Sequence, residues 1–583
     1  MPAPPSSPSS PSDPARSLIE TWHSGDPADG ALRRQCEEEL ERLRASWREE
    51  PSRFSAESIA RLQALAAELR RPPPPSSPAE ALRAVFGYAA FRPGQEPIVR
   101  AVLAGRDCVG VMPTGAGKSI TFQLPARMLG GTALVVSPLI ALMKDQVDAL
   151  TEAGLRATYL NSTVEPDERR ARVAALRRGE VELIYAAPEG LDALVDGALT
   201  GVPLSLIAVD EAHCISQWGH DFRPAYRKLA GLKRRFSGVP VLALTATATR
   251  AVTVDIVEQL GMIDPLHVSG SFFRPNLALH AYKKGDGGVP QVREAILRLV
   301  LARPGQSGIV YCLSRKTAEA TAEFLRDHGV SAAPYHAGLD PGTRARTQEA
   351  FRRDDLDVVV ATIAFGMGID KPDVRFVFHR DMPRSLEGYY QEIGRAGRDG
   401  LPSDCVLFFS WADVMTYDRF ADEADDEAVG EWHRRRTREM FRFAERQGCR
   451  HQALTGYFGQ TIAPCGASCD ICARADLLGS AAPAPRRKKG AAAPLPARRE
   501  RDALAASPLD SDGALFARLR AVRRKIADEK GIPPFMVFHD TTLLEMAARR
   551  PSTPEALLAI SGVGPARLAS YGPQFLAAIR ELA

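Results

Sequence analysis

The chain has 583 residues, 45% hydrophobic and 25% charged, and its 75 Lys and Arg against 71 Asp and Glu leave a formal charge of +4. That length exceeds one ordinary core and predicts two to four soluble domains. The near balance excludes any argument for nucleic-acid binding from total charge, and no apolar run reaches the ~20 residues of a membrane helix.

In chain order, residues 1–79 read as an N-terminal extension. Its start, "MPAPPSSPSSPSDPARS", is Pro/Ser-rich without the basic-then-apolar pattern of a leader, and helical patterns follow at about 31–50 and 54–71. "RPPPPSSP" (71–78) punctuates the chain, and no chemistry is legible before it. From 80 to 278, "CVGVMP", "TALVVSP", "VELIYAAP", "SLIAVDE" and "PVLALTATAT" alternate with helical patterns. From 279 to 412 a second series runs "GIVYCLS", "AAPYHA", "DVVVATIAFG", "RFVFHRD" and "CVLFFS". Apolar runs alternating with helices indicate strands buried on both faces of a parallel sheet. The expected fold class is α/β, with two parallel-sheet lobes and a cleft between them. Cys36, Cys108, Cys214, Cys312 and Cys405 stand alone, as core-filling thiols do in a reducing cytoplasm.

"VGVMPTGAGKSITFQLPA" places Thr114, Gly115, Gly117, Lys118 and Ser119 between a strand and a helix. In that context glycine N–H groups cradle phosphate at a helix N-terminus, Lys118 reaches the outer phosphates and Ser119 meets Mg²⁺. Met112 stands where such loops usually begin with glycine. "LSLIAVDEAHCISQWGHDFRP" ends an apolar strand in Asp210, a carboxylate suited to hold Mg²⁺, beside Glu211, suited to polarise an attacking water. In the second series "YYQEIGRAGRDG" offers Gln391, Arg395 and Arg398, the arginines expected on one helix face and suited to the charge that develops on a γ-phosphate.

Residues 413–474 hold Cys449, Cys465, Cys469 and Cys472, separated by fifteen, three and two residues. Four thiolates so spaced suit a closed tetrahedral Zn²⁺ site, whereas a redox "CDIC" would need a thioredoxin-like βαβ context that is missing. Residues 475–511 include "GSAAPAPRRKKGAAAPLPARRERD", which reads as a flexible basic linker with Arg486, Arg487, Lys488 and Lys489 able to touch phosphate.

From about 80 to 472 the chain resembles a RecQ-family DNA helicase of superfamily two, with two RecA-like lobes and a helical zinc subdomain. The extra residue between Cys465 and Cys469 departs from the usual spacing of that subdomain. The resemblance implies that Tyr88 and Arg92 sandwich adenine while Gln95 bonds its edge, and that residues 135–147 and 243–249 touch DNA and link the lobes. It implies an aromatic-rich loop in which Trp218 and Phe222 stack on bases while His220 and Arg223 report DNA occupancy to the ATP site. Thr362, Gly366, Gly368 and Asp370 resemble the coupling motif, Asp370 counting among the nucleotide-binding residues. Residues 512–583 resemble the all-α HRDC domain, implying DNA contacts by Arg567, Tyr571 and a basic face of Arg520, Arg523, Arg524 and Lys525.

Only 42 residues lie between Cys472 and Leu515, too few for the winged helix many RecQ proteins carry there. The implied function is an ATP- and Mg²⁺-dependent DNA helicase moving 3′ to 5′ in recombination and repair, cytoplasmic and nucleoid-associated if bacterial. ATP, Mg²⁺ and Zn²⁺ are the implied cofactors. The implied partners are single-stranded and tailed duplex DNA and a single-strand-binding protein, and the implied state is monomeric. The alternative is a DNA-stimulated translocase or remodeller that unwinds weakly without the wing. A DNA-binding protein with a dead ATPase core, or an RNA helicase, would be separated from these by ATPase assays with single-stranded DNA and RNA.

Overall fold

The computed structural model describes residues 16–25, 30–69, 77–138, 140–217, 219, 221–285, 289, 291–366, 371–422, 426–481 and 513–581. The chain divides into two units, 1–84 and 85–583. In the first, helices Arg16–Ser24, Gly30–Glu49 and Ala56–Leu69 close a small core of Leu18, Trp22, Cys36, Leu40 and Leu65. The last two fall where the apolar periodicity places them; the first lies where the sequence reading expects no element.

In the second unit, strands β1 (Cys108–Val111), β2 (Thr132–Val136), β3 (Ala157–Leu160), β4 (Leu183–Ala186), β5 (Leu204–Val209), β6 (Val241–Thr245) and β7 (Leu266–Ser269) form one sheet in the order β3-β4-β2-β5-β6-β1-β7. Strands β8 (Leu277–Lys283), β9 (Ser307–Tyr311), β10 (Ala332–Tyr335), β11 (Val358–Ala361), β12 (Val374–His379) and β13 (Ser403–Phe409) form another, ordered β10-β11-β9-β12-β13-β8. Every strand pair in both sheets is parallel. Strands β1, β2, β4, β6, β9 and β11 are buried at every position, which is why they read as continuous apolar runs rather than alternating ones. Parallel strands deliver their connecting loops to one edge, so the loops after β1 and β5 are brought together there.

Strand β8 opens the second lobe at Leu277, two residues before the expected boundary, because its whole length pairs with β13. Helices Trp411–Asp422, Glu427–Glu445, Arg450–Tyr457 and Asp470–Ala473 carry the cysteine region. Residues 475–481, expected to begin the linker, are instead packed. Leu478 and Ala481 enter the second-lobe core, and Arg298 donates to the carbonyls of Leu478 (2.8 Å) and Ala481 (2.5 Å). The basic tetrad at 486–489 lies outside the described residues. Helices Gly513–Lys530, Pro534–Val537, Asp540–Arg549, Pro554–Leu558 and Pro565–Arg580 close around Leu519, Phe538, Leu543 and Phe575 as a separate small core.

Candidate active site

The loop after β1 turns twice through left-handed backbone, at Gly115 (φ 81°) and Gly117 (φ 76°), before Ser119 opens the helix Ile120–Leu129. Only glycine adopts such angles without cost, and the turns aim backbone N–H groups at one point. Gln95 fastens this loop. Its Nε2 donates to the carbonyls of Ala116 and Gly117 (both 2.9 Å), its Oε1 accepts from the Arg92 amide (2.8 Å), and Arg92 Nη1 donates to the Gly115 carbonyl. The amide of Gln95 is therefore engaged by the loop rather than left facing outward for a base. Tyr88 is half-buried at the end of the same segment.

Opposite the loop, Asp210 follows β5, and its Oδ1 accepts from the Glu211 amide (3.0 Å). Glu211 has φ 48°, a strained angle for a non-glycine, and the turn brings its Oε1 within 3.7 Å of Lys118 Nζ and its Oε2 within 3.4 Å of His213 Nδ1. His213 Nδ1 also lies 2.9 Å from Thr245 Oγ1, which joins the acid pair to the end of β6. Burial first, and the Glu211 charge second, push the Asp210 carboxyl up to about 6. Crowded carboxylates beside a lysine fit a divalent cation, and a glycine cradle rimmed by Arg92, Lys118 and Arg398 fits a polyphosphate.

The second lobe supplies Arg398, but on a different local structure from the one expected. The helix Leu386–Ile393, capped by Ser385 and carrying Gln391, ends at Gly394. Gly397 (φ 55°) and Gly400 (φ 89°) then turn the chain, so Arg395 and Arg398 do not share a helix face. Arg395 is buried in its own lobe, close to Gly366, and its charge lowers the Tyr311 hydroxyl's pKa against the effect of burial. Arg398 crosses to the first lobe: a methyl built on Gly115 would lie 3.3 Å from the Arg398 Cα. The two lobes also meet through Arg352 Nη1 and Asp145 Oδ1, 2.9 Å apart.

The ligand atoms of Cys449, Cys465, Cys469 and Cys472 all lie within 4.8 Å of one another, a set that fits a tetrahedral thiolate metal site. The cluster is pinned to the second lobe. Arg450 pairs with Asp470 (2.6 Å), whose Oδ2 accepts from the Ala281 amide (3.0 Å), and Leu279 bridges to Cys469.

Sequence comparison agrees with this assembly part by part. The chain matches the DEAD/DEAH box helicase family over residues 92–254, the helicase conserved C-terminal domain over 291–400, the RecQ zinc-binding family over 411–473 and the HRDC domain over 512–579. It is 36% identical to the ATP-dependent DNA helicase RecQ of Pasteurella multocida, over 91% of this chain and 97% of that protein. The chain belongs to the RecQ helicase family. It is also 37% identical to the proteins of the same name from Haemophilus influenzae (86% of this chain, 95% of that one) and Bacillus subtilis (85% and 97%).

Of the expected aromatic-rich loop, Trp218 and His220 lie outside the described residues, as do Gly368 and Asp370 of the expected coupling motif. Phe222 is half-buried under the Arg227 guanidinium, 5.2 Å from its ring centre. Arg223 donates to Asp221 (3.1 Å) and to the Pro138 carbonyl (3.4 Å), tying this loop to the 135–147 segment. Thr362 donates its amide to the Tyr335 carbonyl (3.2 Å).

The HRDC contacts need correction. Tyr571 is not a surface stacker: it is 6% exposed, edge-on to Phe538 at 6.0 Å, with Lys530 Nζ 4.5 Å over its ring. Arg567 Nη1 donates to the Gly562 carbonyl (3.3 Å), and its charge acts on Glu152 of the first lobe. Nor is the basic face solvated throughout. Arg523 is buried against Asp540 (2.8 Å), and Arg524 pairs with Asp355 of the second lobe (2.8 Å), while Lys525 stays exposed. Arg353 donates to the Gly531 carbonyl (2.6 Å), and a methyl on Gly87 would sit 2.8 Å from the Gly564 nitrogen. HRDC is thus seated on both lobes, next to Tyr88. Sequence reasoning also passes over Arg274 and Asn276, in the segment joining the lobes. Their signal is faint, an "RPN" between two strands with no neighbouring acid.

Proposed function

We propose that the chain is an ATP- and Mg²⁺-dependent helicase that moves 3′ to 5′ along single-stranded DNA and separates duplex ahead of it, in recombination and repair. The observation that carries this reading is the seating of Arg398, from one lobe, on the Gly115 turn of the other, across from Lys118 and Glu211. In this reading Lys118 and the loop amides bind the outer phosphates, Ser119 and Asp210 hold Mg²⁺, and Glu211 orients water and accepts its proton. Arg398 meets the charge developing on the transferred phosphoryl group, a role worth roughly 10³–10⁵ in rate in other nucleotide hydrolases. Bound Mg²⁺ would supply neutralisation of phosphate charge. Because Arg398 and the cradle sit on different lobes, hydrolysis and lobe opening are coupled, and DNA held by both lobes is drawn along one strand. Tyr88 and Arg92 are proposed to hold adenine, and Trp218, His220, Phe222, Arg223 and Asp370 to couple DNA to hydrolysis. Cys449, Cys465, Cys469 and Cys472 would hold a structural zinc. Single-strand-binding protein is the proposed protein partner and the monomer the working form.

A second reading, a translocase with weak strand separation, is favoured by one observation. The zinc-binding match ends at 473 and the HRDC match starts at 512, leaving 38 residues where a wing would need its own fold. Strand separation on matched 3′-tailed and 5′-tailed duplexes, with Lys118→Ala as control, decides between them. Opening of the 3′-tailed substrate alone supports the helicase. DNA-stimulated hydrolysis with no separation supports the translocase, and hydrolysis indifferent to DNA rejects both.

A further inference from the structure

We infer that Arg274 is a positioning residue for hydrolysis, one guanidinium that sets the nucleotide loop of the first lobe against the arginine turn of the second. It rests on the hydrolytic reading above and adds a residue to it. Arg274 Nη1 donates to the Thr114 carbonyl (2.7 Å), and its Nη2 donates to the carbonyls of Gly397 (2.7 Å) and Ala396 (3.1 Å). The Thr114 carbonyl belongs to the peptide that leads into Gly115, and the Gly397 carbonyl to the peptide that leads into Arg398. Gly115 and Arg398 touch each other across the cleft. One planar side chain therefore holds both peptide planes at the point where the lobes must register.

The surroundings make Arg274 a fixed arm of the second lobe. Its Nε donates to Asn276 Oδ1 (3.2 Å), and Asn276 Nδ2 donates to the carbonyls of Gly397 (2.9 Å) and Leu401 (3.0 Å). A methyl on Gly397 would come within 2.4 Å of that nitrogen, so the turn is glycine partly to admit the clasp. Phe272 anchors the segment: its carbonyl accepts from Tyr390 Oη (3.1 Å) and its ring stacks on Phe458 at 4.4 Å. If the lobes open, these bonds stay within the second lobe and only the one to Thr114 has to break. All the hydrogen-bond acceptors Arg274 meets among the described residues are neutral. Burial holds its basicity below the usual arginine range, against partial support from Tyr390 and Cys405, and Arg398 and Arg92 push the same way as burial. A half-buried cation flanked by two others, with neutral acceptors only, is stabilised when a polyphosphate enters beside it. Lys cannot substitute, because an ammonium lacks the planar fork that spans carbonyls on two lobes.

The test is steady-state hydrolysis by the full chain at saturating single-stranded DNA, for Arg274→Ala, Arg274→Lys, Arg398→Ala and the double variant Arg274→Ala/Arg398→Ala. Fluorescent-ADP binding and zinc content serve as controls. Arg274→Ala should lower kcat about 10²-fold, the cost of a misplacement near 1 Å, with ADP affinity changed less than about threefold. Arg274→Lys, which keeps the charge in the fold, should recover less than about a tenth of the lost rate. A residue that acts through Arg398 adds nothing once Arg398 is gone, so the double variant should match Arg398→Ala within about twofold. Multiplicative losses in the double variant, full rescue by Lys, or ADP affinity falling in step with kcat would each overturn the inference while leaving the hydrolytic reading intact. A wild-type chain without DNA-stimulated hydrolysis, or a fully active Arg398→Ala, overturns both.

Discussion

Replacing Asp210 by Asn should stabilise the nucleotide-free protein and abolish its hydrolysis. The Asp210 carboxyl sits at the end of β5, pushed up to about 6 by burial and then by Glu211, against an ordinary value of 3.8. A carboxyl raised in the folded state carries no penalty below about pH 4, where it is protonated in both states. Between about pH 4 and pH 6 the unfolded chain already ionises this group while burial keeps the folded one protonated, so stability is lost across that window and stays lost at pH 8. A displacement of about two units at 1.36 kcal/mol each gives about 3 kcal/mol as an upper bound. Asp210 is only partly buried by accessible surface, and solvent screening reduces this to about 1–2 kcal/mol. For a lobe of this size that corresponds to roughly 2–8 °C in the melting midpoint. Asn keeps the oxygen that accepts from the Glu211 amide, so the local turn survives. Calorimetry of metal-free and nucleotide-free protein should show the full gain at pH 8 and little at pH 4, and saturating Mg²⁺–nucleotide should erase it by favouring the wild type. Equal gains at both pH values, or a less stable variant at pH 8, would refute the account of Asp210 as a strained, cation-seeking carboxylate.

Gly394→Ala puts a methyl 1.9 Å from Thr114 Oγ1 across the cleft and 2.9 Å from the Tyr390 carbonyl, so steady-state kcat should fall at least about tenfold. Cys469→Ser should reduce bound zinc, measured by elemental analysis, from about one per chain to near none, and loosen the bridge to Leu279. Arg524→Glu places like charges beside Asp354 and Asp355 and should weaken HRDC seating by about 1–3 kcal/mol, seen as faster amide exchange in Gly513–Lys530. Adding Asp355→Arg should restore protection, and failure of that swap would argue that Arg524 acts elsewhere.

Both sheets were legible because parallel strands buried on two faces leave unbroken apolar runs, and the cradle because its glycines and lysine are contiguous in the chain. Asp210 and Glu211 were legible for the same reason, ending one such run. The arginine turn was half legible: the residues were found, but the rule that places i and i+3 on one helix face failed where Gly397 and Gly400 unwind the backbone. Tyr571 misled because an aromatic beside basic residues has the same composition in a core as on a binding surface.

Sequence alone determined the order of the parts, the chemistry of the phosphate loop and acid pair, the four-cysteine set and the RecQ resemblance, since each resides in neighbouring residues whose spacing the backbone preserves. Tertiary structure alone decided which arginine crosses the cleft, that Arg274 holds both lobes, and that Arg524 of the HRDC domain pairs with the helicase core. Those facts join residues more than a hundred positions apart, and only folding brings their charges and carbonyls within reach of one another.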